Sequence, residues 1–188
     1  MQVDTTSWES QLAAFKATLA WSSSRLDIVV PSAGVSGVLG RESFTDLSPT
    51  LALDVNLTGV YYTALLAIHY FNARVVDESF KPQLCFISSL AGYGDLPFSA
   101  DYAATKWGVR GMWRSLRGVR GVNSLGGIQA NLIAPTFLRT AMTASFVDQL
   151  EQAGAKIGEV GDAVEGVLRA VADDEVDGEF VRALFCTF

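Results

Sequence analysis

Leu84-Cys85-Phe86-Ile87-Ser88-Ser89-Leu90-Ala91-Gly92, then Pro97, then Tyr102-Ala103-Ala104-Thr105-Lys106-Trp107-Gly108-Val109, is the stretch on which the fold turns. Leu84 to Ser88 has the length and composition of a buried strand, and Ser99 to about Val119 carries helical periodicity. Tyr102 and Lys106 stand at i and i+4, so they share one face of that helix, and Ser89 lies at the strand's end. A phenol with a pKa near about 10 is a poor base at neutral pH. An ammonium roughly 4–5 Å away, at an effective dielectric of about 20, contributes about 3–4 kcal/mol. That predicts a phenol pKa lowered by about 2–3 units, within reach of general acid/base work. On spacing alone the commoner case is a half-buried tyrosine beside a solvated lysine; the flanking residues shift the balance.

Working outward, apolar strands alternate with helical segments along the whole chain. This is the pattern of a parallel sheet covered on both faces: a doubly wound α/β fold in three layers, α/β/α. Thr6 and Glu9 form a capping box ahead of a helix with Leu12, Phe15 and Leu19 on one stripe. Leu26–Val30 reads as a buried strand, and about Pro49 to about Tyr70 as a long helix holding Asn56. Ile128–Ala134 is a further strand, followed by helices near Thr140–Leu150 and Asp162–Ala172 and a last strand, Glu179–Leu184. No repeat or low-complexity linker divides the chain, so residues 1–188 are expected to form a single domain.

At 49% hydrophobic content the chain can bury a sizeable core. The net charge of −6 argues against nucleic acid and anionic membrane as partners. Ten of the twenty acids fall between Asp148 and Glu179, which places the acidity on the C-terminal helices and loops. Cys85 and Cys186 do not make a disulfide framework. No signal peptide and no apolar run of spanning length is read, and a cytoplasmic location is expected. Asn56-Leu57-Thr58 is formally a glycosylation sequon. His69, the only histidine, fits a helix surface, and with two distant cysteines it gives no metal site. Nor does a Gly-x-Ser-x-Gly elbow surround Ser88 or Ser89, so a Ser-His-Asp hydrolase is disfavoured. Arg110, Arg114, Arg117 and Arg120 recur every three or four residues, as on a solvated helix face.

The segment Ile87–Gly92, Pro97 and Tyr102–Val109 resembles the active-site segment of the short-chain dehydrogenase/reductase family. Two further blocks agree. Leu53-Asp54-Val55-Asn56-Leu57-Thr58-Gly59 resembles the family's Asn-x-x-Gly segment, and Ala130-Asn131-Leu132-Ile133-Ala134-Pro135-Thr136 with Thr140 resembles its nicotinamide-cradling segment. The wording is similar to fungal 5'-hydroxyaverantin dehydrogenase-like and 15-hydroxyprostaglandin dehydrogenase-like members.

The resemblance implies a Rossmann-like fold and an NAD(P)-dependent interconversion of a secondary alcohol and a ketone. A hydrophobic secondary metabolite is the expected substrate. Ser89 would polarise the substrate oxygen, Tyr102 would be the acid/base, Lys106 would acidify it and bind the ribose, and Asn56 would hold a water in the proton relay. Asp4, Ala33, Gly34, Pro135, Leu138 and Thr140 would join Tyr102 and Lys106 at the dinucleotide, either NAD or NADP with a lean towards NAD. A homodimer or homotetramer is implied through the faces Leu57, Val60, Leu65 and Trp107, Met112, Trp113.

Two departures stand out. Thr136 occupies the place of the family's glycine after Pro135. The family's opening strand and Gly-rich phosphate turn are not read before residue 28, and Gly34-Val35-Ser36-Gly37-Val38-Leu39-Gly40, which runs into a polar loop at Arg41 to Pro49, does not replace them. The chain thus reads as the C-terminal two-thirds of the fold, N-terminally truncated, and loss of the phosphate turn would remove at least about 4 kcal/mol of dinucleotide binding. The strand Leu26–Val30 would then be an open edge, covered either by a longer chain with an upstream start or by a partner. The alternatives in function are a redox-inactive remnant and a cofactor-independent isomerase or dehydratase using the same Ser-Tyr-Lys site.

Overall fold

The computed structural model describes residues 1–37, 48–73, 80–97, 99–118, 127–173, 176 and 180–181. Among these residues four parallel strands, β1 (Ile28–Val29), β2 (Gln83–Ile87), β3 (Gln129–Ile133) and β4 (Phe180–Val181), lie side by side in chain order. β2 and β3 are matched along their whole length, Gln83 opposite Gln129 and Ile87 opposite Ile133. β1 meets only Gln83 and Leu84.

Parallel neighbours need crossover connections, and helices supply them. α1 (Trp8–Trp21), α3 (Val60–Ala73) and α4 (Ala100–Gly118) contribute to the core on one face of the sheet, and α6 (Val160–Ala172) covers the other. This is the expected three-layer arrangement. On the first face Leu84, Phe86 and Leu132 pack with Val60, Ala64, Phe71, Val109 and Trp113; on the second, Cys85 and Ile133 pack with Ala170. Both faces of β2 and β3 are covered, which is why their sequences run apolar without alternation.

The structure corrects several local expectations. Ser7, not Thr6, caps α1: its hydroxyl accepts from the Ser10 amide, while Thr6 donates to Asp4. The strand at Leu26–Val30 shrinks to Ile28–Val29 and is not buried throughout, since Ile28 is 41% exposed at the margin of the described sheet. The helix near Thr140–Leu150 is confined to α5 (Val147–Gln152). Thr143 explains this: its hydroxyl donates to the Leu138 carbonyl and accepts from the Thr140 amide, local bonds that compete with a helix. Of the last expected strand only Phe180–Val181 is among the described residues, and Cys186, Arg120 and residues 38–47 of the decoy glycine segment and its loop lie outside them.

The long helix is also more unusual than its periodicity suggests. α2 (Leu51–Leu53), a π-helical segment (Asp54–Gly59) and α3 form one continuous run of 23 residues. By length, and by the apolarity of an 18-residue window within it, that run is long and apolar enough for a membrane span, which the sequence reading did not expect. Here its apolar side is directed at the sheet, with Val60, Ala64, Leu66, Ala67 and Phe71 buried.

Candidate active site

β2 delivers Ser88 and Ser89 at its C-terminal end, and α4 delivers Tyr102, Thr105 and Lys106 from its first two turns. Ser89 caps a single 3-10 turn, Leu90–Gly92, accepting from the Ala91 amide at 3.2 Å. The turn is tied to the segment after β3 by the Leu90 amide donating to the Pro135 carbonyl at 3.0 Å. It also lies hard against α4: a Cβ on Gly92 would come within 2.7 Å of the Lys106 carbonyl oxygen. Only a glycine permits that approach.

Ser89, Tyr102 and Lys106 are brought together as expected of their spacing. The Ser89 hydroxyl neighbours the Tyr102 phenol closely enough to lower its pKa, and it donates to the Pro135 carbonyl at 3.5 Å. Lys106 Nζ lies 5.4 Å from the centre of the Tyr102 ring and donates to the Ile87 carbonyl at 3.2 Å.

The electrostatics depart from expectation. Burial pushes the Tyr102 phenol above its ordinary pKa, and the neighbouring Ser89 hydroxyl opposes that rise in part. Lys106 does not bring the phenol down, because its ammonium faces the ring, and burial depresses Lys106 itself to about 8. Desolvation outweighs mutual attraction where both groups leave water.

Asn56 sits in the π-helical segment, a local widening that recurs at functional sites. It is fully buried, and its carboxamide clasps Val35 on both edges, accepting from the amide at 2.8 Å and donating to the carbonyl at 2.9 Å. A weaker bond at 3.4 Å runs to Thr105, which in turn donates to the Tyr102 carbonyl. Asn56 therefore braces the loop after β1 against α4, and the sequon it heads is inaccessible.

The remaining candidates spread out. Ala33 and Gly34 are exposed in the turn after β1, with Gly34 directly over the Asn56 side chain. Pro135 adjoins Ser89; Leu138 and Thr140 follow in the knot organised by Thr143. Asp4 stands apart near the N-terminus, its carboxylate held below the usual range by the Thr6 hydroxyl and amide. A cavity of about 250 Å³ lies between Val3, Thr5, α1, the end of β1 and Gly59 of the π-helical segment. It borders Ser32 and Ala33 but none of Ser89, Tyr102 and Lys106, so the chemistry is not inside it.

Sequence reasoning missed Ser88 and Thr105. Ser88 is buried and donates to the Lys106 carbonyl at 3.0 Å. Their signal was only adjacency to the named residues.

Comparison with protein families matches residues 1–151 to the description short chain dehydrogenase. Among curated proteins, the chain is 43% identical to the NADP-dependent dehydrogenase clz5 of Cochliobolus lunatus, over 93% of this chain and 68% of that one. It is 37% identical to the 5'-hydroxyaverantin dehydrogenase of Dothistroma septosporum, over 84% of this chain and 56% of that one. Among solved structures, a 3-oxoacyl-[acyl-carrier protein] reductase from Brucella melitensis in complex with NAD superposes with a TM-score of 0.78 at 24% identity, over 97% of this chain and 75% of that one.

Proposed function

This chain belongs to the short-chain dehydrogenase family, and on that premise we propose that it interconverts a secondary alcohol and a ketone with a nicotinamide dinucleotide. The observation that carries the reading is the meeting of Ser89, Tyr102 and Lys106 at the C-terminal end of β2.

The residues fit a dinucleotide. Lys106 is a buried ammonium whose one hydrogen bond among the described residues goes to a carbonyl, which leaves donors for sugar hydroxyls. Tyr102, Lys106, Ala33, Gly34, Pro135, Leu138 and Thr140 would hold the group, with Asp4 towards the adenine. When bound, it supplies hydride transfer.

What the chain's own residues do follows from their protonation. At neutral pH the Tyr102 phenol keeps its proton, so it serves as a general acid towards the oxygen of a ketone. Ser89 fixes that oxygen beside the phenol. Lys106 acts in this reading by donating to the sugar hydroxyls of the dinucleotide, not by acidifying the phenol. The reverse sequence oxidises an alcohol. Since Asn56 already gives its carboxamide to Val35 and Thr105, its place in this reading is to hold the Ser32–Val35 loop, not to relay a proton through its side chain.

A hydrophobic secondary metabolite remains the proposed substrate. It is supported by the likeness to 5'-hydroxyaverantin dehydrogenase and by apolar side chains beyond Pro135, where Met142 and Phe146 are exposed and Phe146 meets Phe137 edge-on. The name of the clz5 relative makes NADP the dinucleotide to try first. A cytoplasmic homodimer or homotetramer completes the reading, with fewer of the named residues free to form its interface. Val60 and Trp113 are buried in the core, Leu57 and Met112 pack against it, and of the named faces only Leu65 and Trp107 are exposed.

Tyr102→Phe tests the reaction centre. Ketone-dependent oxidation of NADPH should fall at least about a hundredfold with an unchanged circular dichroism spectrum; undiminished turnover would remove Tyr102 from the mechanism. Calorimetric titration of the folded 188-residue chain with NADP and NAD separates the alternatives, since a remnant or a redox-neutral isomerase would show no saturable heat.

A further inference from the structure

Arg110 was read from sequence as one of four arginines on a solvated face, yet the structure removes it from that face. Its guanidinium stacks on the Tyr93 ring at 3.9 Å from the ring centre, lies 5.3 Å from that of Trp107, and donates through Nη1 to the Gly92 carbonyl at 3.3 Å. Its Nε is buried without a hydrogen-bond partner among the described residues, and no described carboxylate lies within ion-pair reach of Arg110. A cation accepts such a setting only where stacking and a carbonyl replace the missing anion.

What Arg110 holds is the turn that carries Ser89. The upstream side of that turn is fixed by β2: Ser88 donates to the Lys106 carbonyl, Lys106 donates to Ile87, and Leu90 donates to Pro135. Its downstream side, Gly92 and Tyr93, meets α4 at Arg110, one helical turn beyond Lys106. Gly92 lacks the side chain that would prevent this approach. We propose that Arg110 is a positioning residue: by clamping Gly92 and Tyr93 onto α4 it sets the placement of the Ser89 hydroxyl against Tyr102. The proposal rests on the reading of Tyr102 and Ser89 as the reaction centre. Lysine would not serve in its place, because an ammonium cannot both stack flat on a ring and donate sideways to a carbonyl.

The experiment uses the full chain with Arg110→Gln, Arg110→Lys and Tyr93→Leu, and reads the tyrosines, five in the wild type, by NMR of ¹³Cζ-labelled protein. Tyr102 is assigned by its loss in Tyr102→Phe. Because the neighbouring Ser89 hydroxyl lowers the phenol pKa, moving it away should shift the Tyr102 titration upward in all three variants. The charged neighbours of Tyr102 on α4, Lys106 and Asp101, are the same in each. Turnover should fall about ten- to a hundredfold through kcat, with KM for dinucleotide within about twofold. Tyr93→Phe, which keeps the stacked ring, should lose less than Tyr93→Leu. A purely structural Arg110 would reduce the folded fraction and leave the Tyr102 titration of folded molecules in place, and that result overturns the proposal. Should one variant fail to fold, the other two give the same reading. Failure of the reaction-centre reading shows separately, as full turnover in Tyr102→Phe.

Discussion

The two ends of the sheet both bury polar side chains, and they use them differently. At the N-terminal end, Gln83 of β2 with Gln129 and Asn131 of β3 face α6 and donate to carbonyls in and beyond its last turn. Gln83 reaches Val171 at 2.8 Å, Asn131 reaches Ala170 at 3.0 Å, and Gln129 reaches Asp173 and Val176. The Ala170 and Val171 carbonyls are among those a helix leaves without internal partners. At the C-terminal end, among the described residues, Lys106 Nζ makes one hydrogen bond and the Tyr102 phenol neighbours the Ser89 hydroxyl, and both have pKa values displaced by burial. One end joins helix to sheet. The other keeps donors and a proton in reserve, at a cost in desolvation, as functional sites do.

The largest test of this contrast is Lys106→Met. Turnover should drop by about 10²–10⁴, while thermal unfolding shows no loss of stability, since a desolvated charge is replaced by an apolar side chain of similar length. A marked drop in melting temperature would mean that Lys106 is structural, like the amides at the other end.

The pH dependence sharpens the same point. The folded-state pKa of Lys106, about 8, lies below its ordinary 10.5. Between these values the unfolded chain holds a proton that the folded chain has released, so stability rises with pH across the window and is lost again as pH falls through about 8. The rise is at most about 3 kcal/mol, and above about pH 10 the raised Tyr102 phenol acts in the opposite direction. Urea melts of wild type and Lys106→Met should diverge over pH 8–10; parallel curves would contradict the burial of the ammonium.

At the opposite end, Asn131→Leu should cost about 1–3 kcal/mol by leaving the Ala170 carbonyl unpaired, with turnover per folded molecule unchanged. Altered kcat would break the division between the two ends.

The smallest expected effect lies at the end of α1, where Ser23 and Ser24 adopt φ of 56° and 67°. Ser23→Gly should stabilise by a few tenths of a kcal/mol to about 1 kcal/mol in urea melts, with no change in activity.

Much of this molecule was legible without coordinates. The apolar runs of β2 and β3 announce strands covered on both sides, and Tyr102 and Lys106 share a helix face because 3.6 residues make a turn. Family membership followed from three short blocks, since each places a particular side chain at the end of an element. The cap of α1 was not legible: Thr6 and Ser7 are equivalent as residue types, and only the path of the chain gives the role to Ser7. Nor was the failure of a helix at Thr140, where one hydroxyl captures the local backbone.

Sequence alone determined which groups meet, because periodicity and strand length place Ser89, Tyr102 and Lys106 at one end of a βα unit. It could not determine their state. Whether an ammonium acidifies a phenol depends on which part of the ring it faces and how much water both have lost, and only the packing of β2, the Leu90–Gly92 turn and α4 decides that. The same packing turned Arg110 from a solvated charge into a clamp. Contact order along a helix is local, whereas desolvation is a sum over neighbours from distant parts of the chain.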